Sequence, residues 1–112
     1  MKIKLAEAVE AKDPNMPDAS KVTMRMLIGP DDGAPVFNMR MFDVAPGGHT
    51  PLHRHDWEHE VYVLAGAGVV SADGSDTPVS AGHCLLIPPG ETHQFRNTGT
   101  ETMRFLCLVP QQ

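Results

Sequence analysis

A group of histidines between residues 47 and 66 is the feature that most restricts how this chain can fold. His53, His55 and His59 follow the pattern His-x-His-x3-His. Because successive side chains of a β-strand alternate between its two faces, His53 and His55 share one face, with their Cα atoms about 7 Å apart. Imidazoles at that spacing can bind one divalent ion, at about 2.0–2.1 Å for zinc. The pattern therefore predicts a strand that carries metal ligands, with His59 as a third donor after a short turn.

Short apolar segments joined by turn residues make up the rest of the chain. Candidate strands cover residues 22–28, 36–44, 61–64, 84–87, 92–96 and 102–109. Asp73-Gly74 gives the strongest hairpin signal between them. No stretch keeps a helical apolar period beyond about two turns, and a strand spacing of about 8–12 residues is typical of a sandwich or small barrel. The sequence therefore predicts an all-β protein.

Length and charge restrict the domain organisation and the partners. A chain of 112 residues is expected to form a single domain, in which residues 1–21 are an N-terminal segment that supplies an edge strand or a dimer contact. The net charge of −5, without a basic run, disfavours nucleic acid and anionic membranes as partners. The chain has no signal-peptide pattern and no apolar run of about 20 residues. We therefore expect a cytoplasmic protein that acts on a small molecule.

The two cysteines, Cys84 and Cys107, both lie inside apolar runs. A free cysteine in such a run usually behaves as a small buried hydrophobic residue. We therefore expect two buried thiols and no disulfide between them.

Two short motifs resemble those of the cupin family, whose members hold a metal inside a β-barrel. Gly47, His53 and His55 carry the first motif. The second motif matches at each of its positions and reads Gly82-x5-Pro88-x-Gly90-x2-His93-x3-Asn97. The resemblance implies a cupin-type jelly-roll β-barrel formed by residues 22–112, with the metal site in its lumen.

The resemblance also implies three histidines and a glutamate as metal ligands, but the glutamate position is ambiguous in this chain. Five residues separate Glu60 from Gly66, whereas six separate His59 from Gly66, which is the family spacing. Adjacent residues of a strand face opposite sides, so only one of His59 and Glu60 can face the lumen. We therefore predict a four-histidine metal site: His53, His55, His59 and His93. A site with Glu60 or Glu58 in place of His59 is the alternative.

From Val22 onward the chain resembles small stand-alone prokaryotic cupins with a four-histidine manganese site. That resemblance implies one manganese ion, whereas imidazole ligands by themselves suit iron, copper, nickel or zinc. Four neutral imidazoles leave the charge of a divalent ion uncompensated, so the site favours an anionic ligand. We predict a metal-dependent oxidoreductase that uses oxygen or peroxide on a small organic substrate. The alternatives are a metal-dependent isomerase or lyase, and a non-catalytic module that binds a small ligand or a metal.

Strand alternation also indicates which side chains line the lumen. Phe105 and Cys107 share the face opposite Arg104, so we predict that they lie near the metal. Arg40 either orients an anionic substrate or faces solvent. Trp57 lies between the predicted metal ligands in the sequence, and its ring either packs in the protein or stacks on the substrate. The family resemblance further implies a homodimer, formed through a barrel edge near the N-terminal strands.

Overall fold

The computed structural model describes residues 1–112. It contains eight strands and two single-turn 3-10 helices, Ala6–Ala8 and Pro30–Asp32. The strands are β1 (Ser20–Ile28), β2 (Phe37–His49), β3 (His59–Ala65), β4 (Ala67–Ala72), β5 (Ser75–Ser80), β6 (Cys84–Ile87), β7 (His93–Arg96) and β8 (Met103–Pro110). The all-β prediction is therefore confirmed. No helix has the length and apolar character needed to cross a membrane.

The strands form two antiparallel groups that meet at β2. One group runs in the spatial order β1-β2-β8-β3-β6, and the other in the order β5-β4-β7. β2 pairs with β8 up to Val44 and reaches β7 where His49 lies opposite Arg96. The strand changes direction at Gly47, which has φ +79°, and at Gly48, where an added Cβ would lie 2.7 Å from the carbonyl oxygen of Ser20. The sheet therefore curls into the predicted jelly-roll barrel.

The hairpin between β4 and β5 lies where the sequence predicts it. Asp73 and Gly74 both have positive φ, at 47° and 83°, as a type I′ turn requires. Ala72 and Ser75 pair directly across the turn.

The core lies inside the barrel, and β8 contributes to it through alternate residues. Met103, Phe105, Cys107 and Val109 are buried, with at most 7% of their surface exposed. The ring of Phe105 stacks on Phe95 at a centroid distance of 4.5 Å and on Phe42 at 5.3 Å. Each such buried side chain contributes about 1.5–3 kcal/mol to folding. The face of β8 predicted from alternation is therefore the inward one.

Residues 7–12 of the segment before β1 lie against the outside of the barrel. Lys12 pairs with Met24 through the backbone, and Arg25 donates to the backbone oxygen of Val9 at 3.0 Å. Arg104 joins Asp43 on β2 to Glu7 of the segment. These contacts fix the N-terminal segment onto β1, β2 and β8.

One expectation about the cysteines is wrong. Cys107 is buried, but Cys84 is exposed, and both thiols are free. On β6, Leu85 and Ile87 pack on the core, whereas Cys84 lies opposite the exposed Tyr62 on the outer face. The apolar run around Cys84 therefore belongs to a strand whose alternate residues, Cys84 among them, face away from the core.

Candidate metal centre

One side of the barrel interior contains a cavity of about 210 Å³. The lining residues are Met16, Arg40, Phe42, Thr50, His53, His55, Trp57, His59, His93, Phe95, Phe105 and Cys107. The four predicted metal ligands and the four predicted pocket residues are all among them. The structure thus brings the predicted residues together, while their roles toward a metal and a substrate stay predictions.

Three parts of the chain supply the four imidazoles. His59 is the first residue of β3 and His93 the first of β7. His53 lies between β2 and β3 and pairs with His93 through two backbone hydrogen bonds of 3.1 and 2.9 Å. The sequence predicts a strand through His53 and His55, but the structure has only this isolated bridge, because Pro51 has no N–H to continue a ladder.

The imidazole nitrogens are close enough for one ion. The candidate ligand atoms of His53, His55 and His93 all lie within 4.8 Å of one another. Nε2 of His59 lies 2.6 Å from Nε2 of His55. Two nitrogens bound at adjacent positions of one zinc ion, each about 2.0–2.1 Å from it, are about 3 Å apart. His53, His55 and His93 therefore form a group that fits a single divalent metal ion, and Nε2 of His59 contacts this group through His55.

Backbone hydrogen bonds orient two of the rings toward the group. Nδ1 of His55 donates to the backbone oxygen of Trp57, and Nδ1 of His93 to that of Glu91, both at 2.8 Å. A carbonyl oxygen only accepts hydrogen bonds, so the proton is on Nδ1 and Nε2 carries the free lone pair. Metal-binding histidines commonly donate their second nitrogen in this way. Nε2 of His93 is buried without a hydrogen-bond partner, which is a costly state that a bound ion would relieve.

Cys107 orients the ring of His59 in a different way. Nδ1 of His59 lies 2.9 Å from Sγ of Cys107, and Nη2 of Arg40 donates to the same sulfur at 3.2 Å. Burial raises the pKa of the Cys107 thiol, so the sulfur keeps its proton at neutral pH. A guanidinium can only donate, so the sulfur accepts from Arg40. Metal coordination through Nε2 of His59 requires the ring proton on Nδ1, which then donates to the other lone pair of the sulfur. Nε2 of His59 is then free to face the other histidines.

Burial also keeps the imidazoles uncharged. The pKa values of His53 and His55 are lowered, and that of His59 is lowered to about 3. Desolvation is the largest cause in each ring, and the neighbouring imidazoles and the charge of Arg40 add to it. Metal binding requires neutral imidazole, and these rings meet that condition at neutral pH.

No acidic side chain lines the cavity. Glu58 and Glu60 are both exposed. In β3, Glu60 lies opposite Leu86 and Leu108, on the outer face, whereas His59 faces the cavity. The donor set in the cavity is therefore imidazole, without the carboxylate of the alternative prediction.

Four lining residues are absent from the sequence-based prediction. Phe42 has the same strand parity as Arg40, and Phe95 the same parity as His93, so alternation could have identified both. Thr50 accepts from the backbone N–H of Phe95 at 2.8 Å, and Met16 comes from the turn-rich segment before β1. No local pattern in the sequence marks these last two positions.

Comparisons with known proteins agree with this fold and cavity. Residues 40–109 match the family described as the cupin domain. The solved structure of the polyketide cyclase RemF from Streptomyces resistomycificus is similar to this chain with a TM-score of 0.95 and 38% sequence identity. The alignment covers 100% of this chain and 80% of that one.

Two curated proteins are similar over a shorter region. The oxalate-binding protein of Thermotoga maritima is 38% identical over 65 residues, which cover 57% of this chain and 54% of that protein. The 1-methylthio-D-xylulose 5-phosphate methylsulfurylase of Rhodospirillum rubrum is 38% identical over 71 residues, which cover 63% of this chain and 46% of that protein. The chain thus spans about half the length of these curated relatives.

Proposed function

This chain belongs to the cupin domain family, and from that premise we propose that it is a metal-dependent enzyme. The enzyme activates a carbonyl or enol oxygen of a small planar substrate, as a cyclase does. The observation that carries the proposal is the cavity in which four imidazoles converge beside aromatic walls and no carboxylate. The similarity to the polyketide cyclase RemF over the whole chain supports the same class of chemistry.

The electrostatics of the cavity suit this chemistry. A divalent ion held by the four histidines would act as a Lewis acid toward a substrate oxygen. The neutral imidazoles leave its charge uncompensated, and Arg40 adds a positive charge to the same cavity. The side chains of the cavity therefore favour the negative oxygen that forms when a carbonyl compound loses an α-proton.

The reaction that we propose needs no oxidant. The α-C–H bond breaks, its proton passes to water, and its electron pair ends on the carbonyl oxygen as an enolate. The nucleophilic α-carbon then attacks a second carbonyl of the same molecule and forms a carbon–carbon bond. The π electrons of the second carbonyl move to its oxygen, which takes up a proton from water. With no carboxylate base in the cavity, acidification of the substrate by positive charge is the main contribution of the protein.

Aromatic walls select the shape of the substrate. Phe105 stacks between Phe42 and Phe95 on one side of the cavity. Trp57 lies parallel to the ring of His55, with centroids 4.5 Å apart and an angle of 8°. Flat apolar walls favour a planar conjugated molecule. A volume of about 210 Å³ admits one small ring, or one end of a longer molecule.

A metal-dependent oxidoreductase that uses oxygen or peroxide is the second candidate. Its support is the ligand chemistry, because imidazole suits redox-active iron, copper and nickel, and because an enolate is electron-rich enough to react with oxygen. Manganese, which the family resemblance implies, is redox-active as well. A third candidate, ligand binding without turnover, is supported by the relative that is named an oxalate-binding protein.

Benzoylacetone, a planar 1,3-diketone, tests these candidates in one experiment. Protein loaded with zinc, nickel, iron or manganese is incubated with the probe in D2O, and deuterium exchange at the α-carbon is followed by NMR. We expect exchange with zinc, which cannot change its oxidation state, at a rate above that of the probe with zinc ions and no protein. His93→Ala should lower the rate to that of the protein-free control, whereas His83→Ala, at an exposed histidine outside the cavity, should not change it.

The other outcomes separate the candidates. Oxygen consumption with iron or manganese, together with an inert zinc form, would replace the cyclase-type proposal with the oxidoreductase. Saturable binding of benzoylacetone without exchange would support a binding module. An exchange rate no higher than that of the protein-free control, with every metal, would refute the proposed function.

We also propose that the chain forms a homodimer. β1 pairs with β2 on one side, and on its other side only Lys12 pairs with it through the backbone, at Met24, so most of that side is an edge. Large apolar side chains nearby are exposed, with Ile28 at 38%, Phe37 at 57% and Val36 at 60%. A second copy that covered them would remove both an open edge and an apolar surface from water. Sedimentation that showed a monomer at micromolar concentration would contradict this proposal.

A further inference from the structure

Arg40 differs from the other half-buried arginines because it has no carboxylate partner. The others are each paired with an aspartate: Arg25 and Arg104 with Asp43, and Arg96 with Asp76. Arg40 forms no ion pair, and its Nε is buried without a hydrogen-bond partner. Its Nη2 donates only to the sulfur of Cys107, a weak acceptor. A charged donor in this state is unfavourable unless an anion joins it.

The guanidinium lies where a ligand of the cavity would meet it. Arg40 lines the same cavity as the four histidines, and its Cζ lies 5.0 Å from the centre of the Phe42 ring. Its charge contributes to the lowered pKa values of His53, His55 and His59. The arginine and the imidazole group therefore share one cavity and one electrostatic environment.

The chain itself provides nothing to neutralise this charge. No acidic side chain lines the cavity, although the protein carries a net charge of −5. A planar guanidinium presents paired donors that match the two oxygens of a carboxylate. The Phe42 ring beside it offers an apolar surface to the body of the same ligand.

We propose that Arg40 is an anion subsite, and that the substrate is a planar conjugated molecule whose carboxylate binds there. The inference deepens the proposed function, and rests on it only for placing the reacting carbonyl at the histidine group. The carboxylate is held by the arginine at one end of the substrate, while the carbonyl faces the four imidazoles. Recognition of the anion does not require the metal, so it can be tested separately.

The test compares benzoate with benzamide, a neutral molecule of similar shape, on metal-free protein. Calorimetry gives the affinities, and the fluorescence of Trp57, the one tryptophan of the chain and a cavity residue, reports binding inside the cavity. We expect benzoate to bind at least about tenfold more tightly than benzamide, as a charge-assisted pair of hydrogen bonds predicts. Arg40→Met should remove this preference by weakening benzoate binding to about the level of benzamide.

Two further variants control the result. Arg40→Lys keeps the charge but loses the paired donors, so we expect it to keep part of the preference. Arg54→Gln changes an exposed arginine that also lacks an ion pair, and it should leave the full preference in place. If Arg40→Met does not fold, as judged by circular dichroism, Arg40→Lys is compared with the unmodified protein. A smaller preference for benzoate in Arg40→Lys then supports the subsite, and an equal preference contradicts it.

Several results would overturn the subsite. Equal affinity for benzoate and benzamide, no binding of benzoate, or the same loss of preference in Arg54→Gln would each do so. A failed deuterium exchange in the metal-loaded protein, with the benzoate preference intact, would refute the proposed reaction but not the subsite. Deuterium exchange in the metal-loaded protein without any preference for benzoate would refute the subsite but not the proposed reaction.

Discussion

Cys107→Val gives the sharpest test of how the histidine group is held. The sulfur of Cys107 lies 2.9 Å from Nδ1 of His59 and 3.2 Å from Nη2 of Arg40. The residue is 1% exposed, so water cannot easily replace these contacts. Valine fills a similar volume but accepts no hydrogen bond. The substitution therefore removes the acceptor of His59 with little change in packing.

Two magnitudes follow from this geometry. An unsatisfied N–H at buried His59 lowers the free energy of unfolding by about 1–3 kcal/mol. Loss of the group that orients a metal-binding histidine typically weakens metal affinity about 10–100-fold. Cys107→Ser keeps an acceptor at the same position, so we expect it to retain most of the metal affinity.

Three measurements check this prediction. Competition with a chelator gives the metal affinity, urea unfolding of metal-free protein gives the stability, and long-range 1H–15N NMR shows which nitrogen of His59 carries the proton. In the unmodified protein the proton should be on Nδ1, and in Cys107→Val both tautomers should be populated. An unchanged tautomer and an unchanged metal affinity in Cys107→Val would show that Cys107 serves packing alone.

Three further predictions concern the ligands, the core and pH. His93→Ala should reduce the bound metal from near one equivalent to a small fraction by elemental analysis, whereas Glu60→Gln should leave it unchanged; the opposite pattern would restore the carboxylate alternative. Phe105→Ala should lower the free energy of unfolding by about 3–5 kcal/mol in urea titrations, and a loss below 1 kcal/mol would contradict its place in the core. The pKa of His59 falls from 6.5 to about 3 on folding, so the unfolded chain binds more protons between these values and stability should decrease as pH falls from about 6.5 toward 3. Urea midpoints of metal-free protein at several pH values measure this, and a profile as steep in His59→Gln would contradict the assignment to His59.

Motif spacing and strand alternation account for most of what the sequence could predict. The inward face of β8, with Phe105 and Cys107, follows from the position of Arg104 on the other face. Alternation allows only one of His59 and Glu60 to face the cavity, and the spacing to Gly66 selects His59. Both predictions depend only on local sequence, without knowledge of which strands pair.

Features that depend on pairing between distant segments cannot be predicted from the sequence alone. The direction of Arg40 was ambiguous because its strand has apolar residues on both faces, and only the register with β8, which sets Arg40 opposite Cys107, determines it. Met16 reaches the cavity from a segment whose path no periodic pattern describes. The exposure of Cys84 depends on the register of β6 with β3, which sets Cys84 opposite Tyr62 on the outer face, and the uniformly apolar run from Cys84 to Ile87 shows no alternation that would reveal this face.

The position of β8 has a consequence for how the protein matures. This strand is synthesised after both β2 and β3, yet it lies between them, at the centre of its sheet. Arg40 and His59 are therefore synthesised long before Cys107, the residue that contacts both, is available. Barrel closure must wait for contacts between distant segments, which are slow to form. Tight metal uptake should then report complete folding, and a nascent chain stalled before β8 should bind metal only weakly through its exposed histidines.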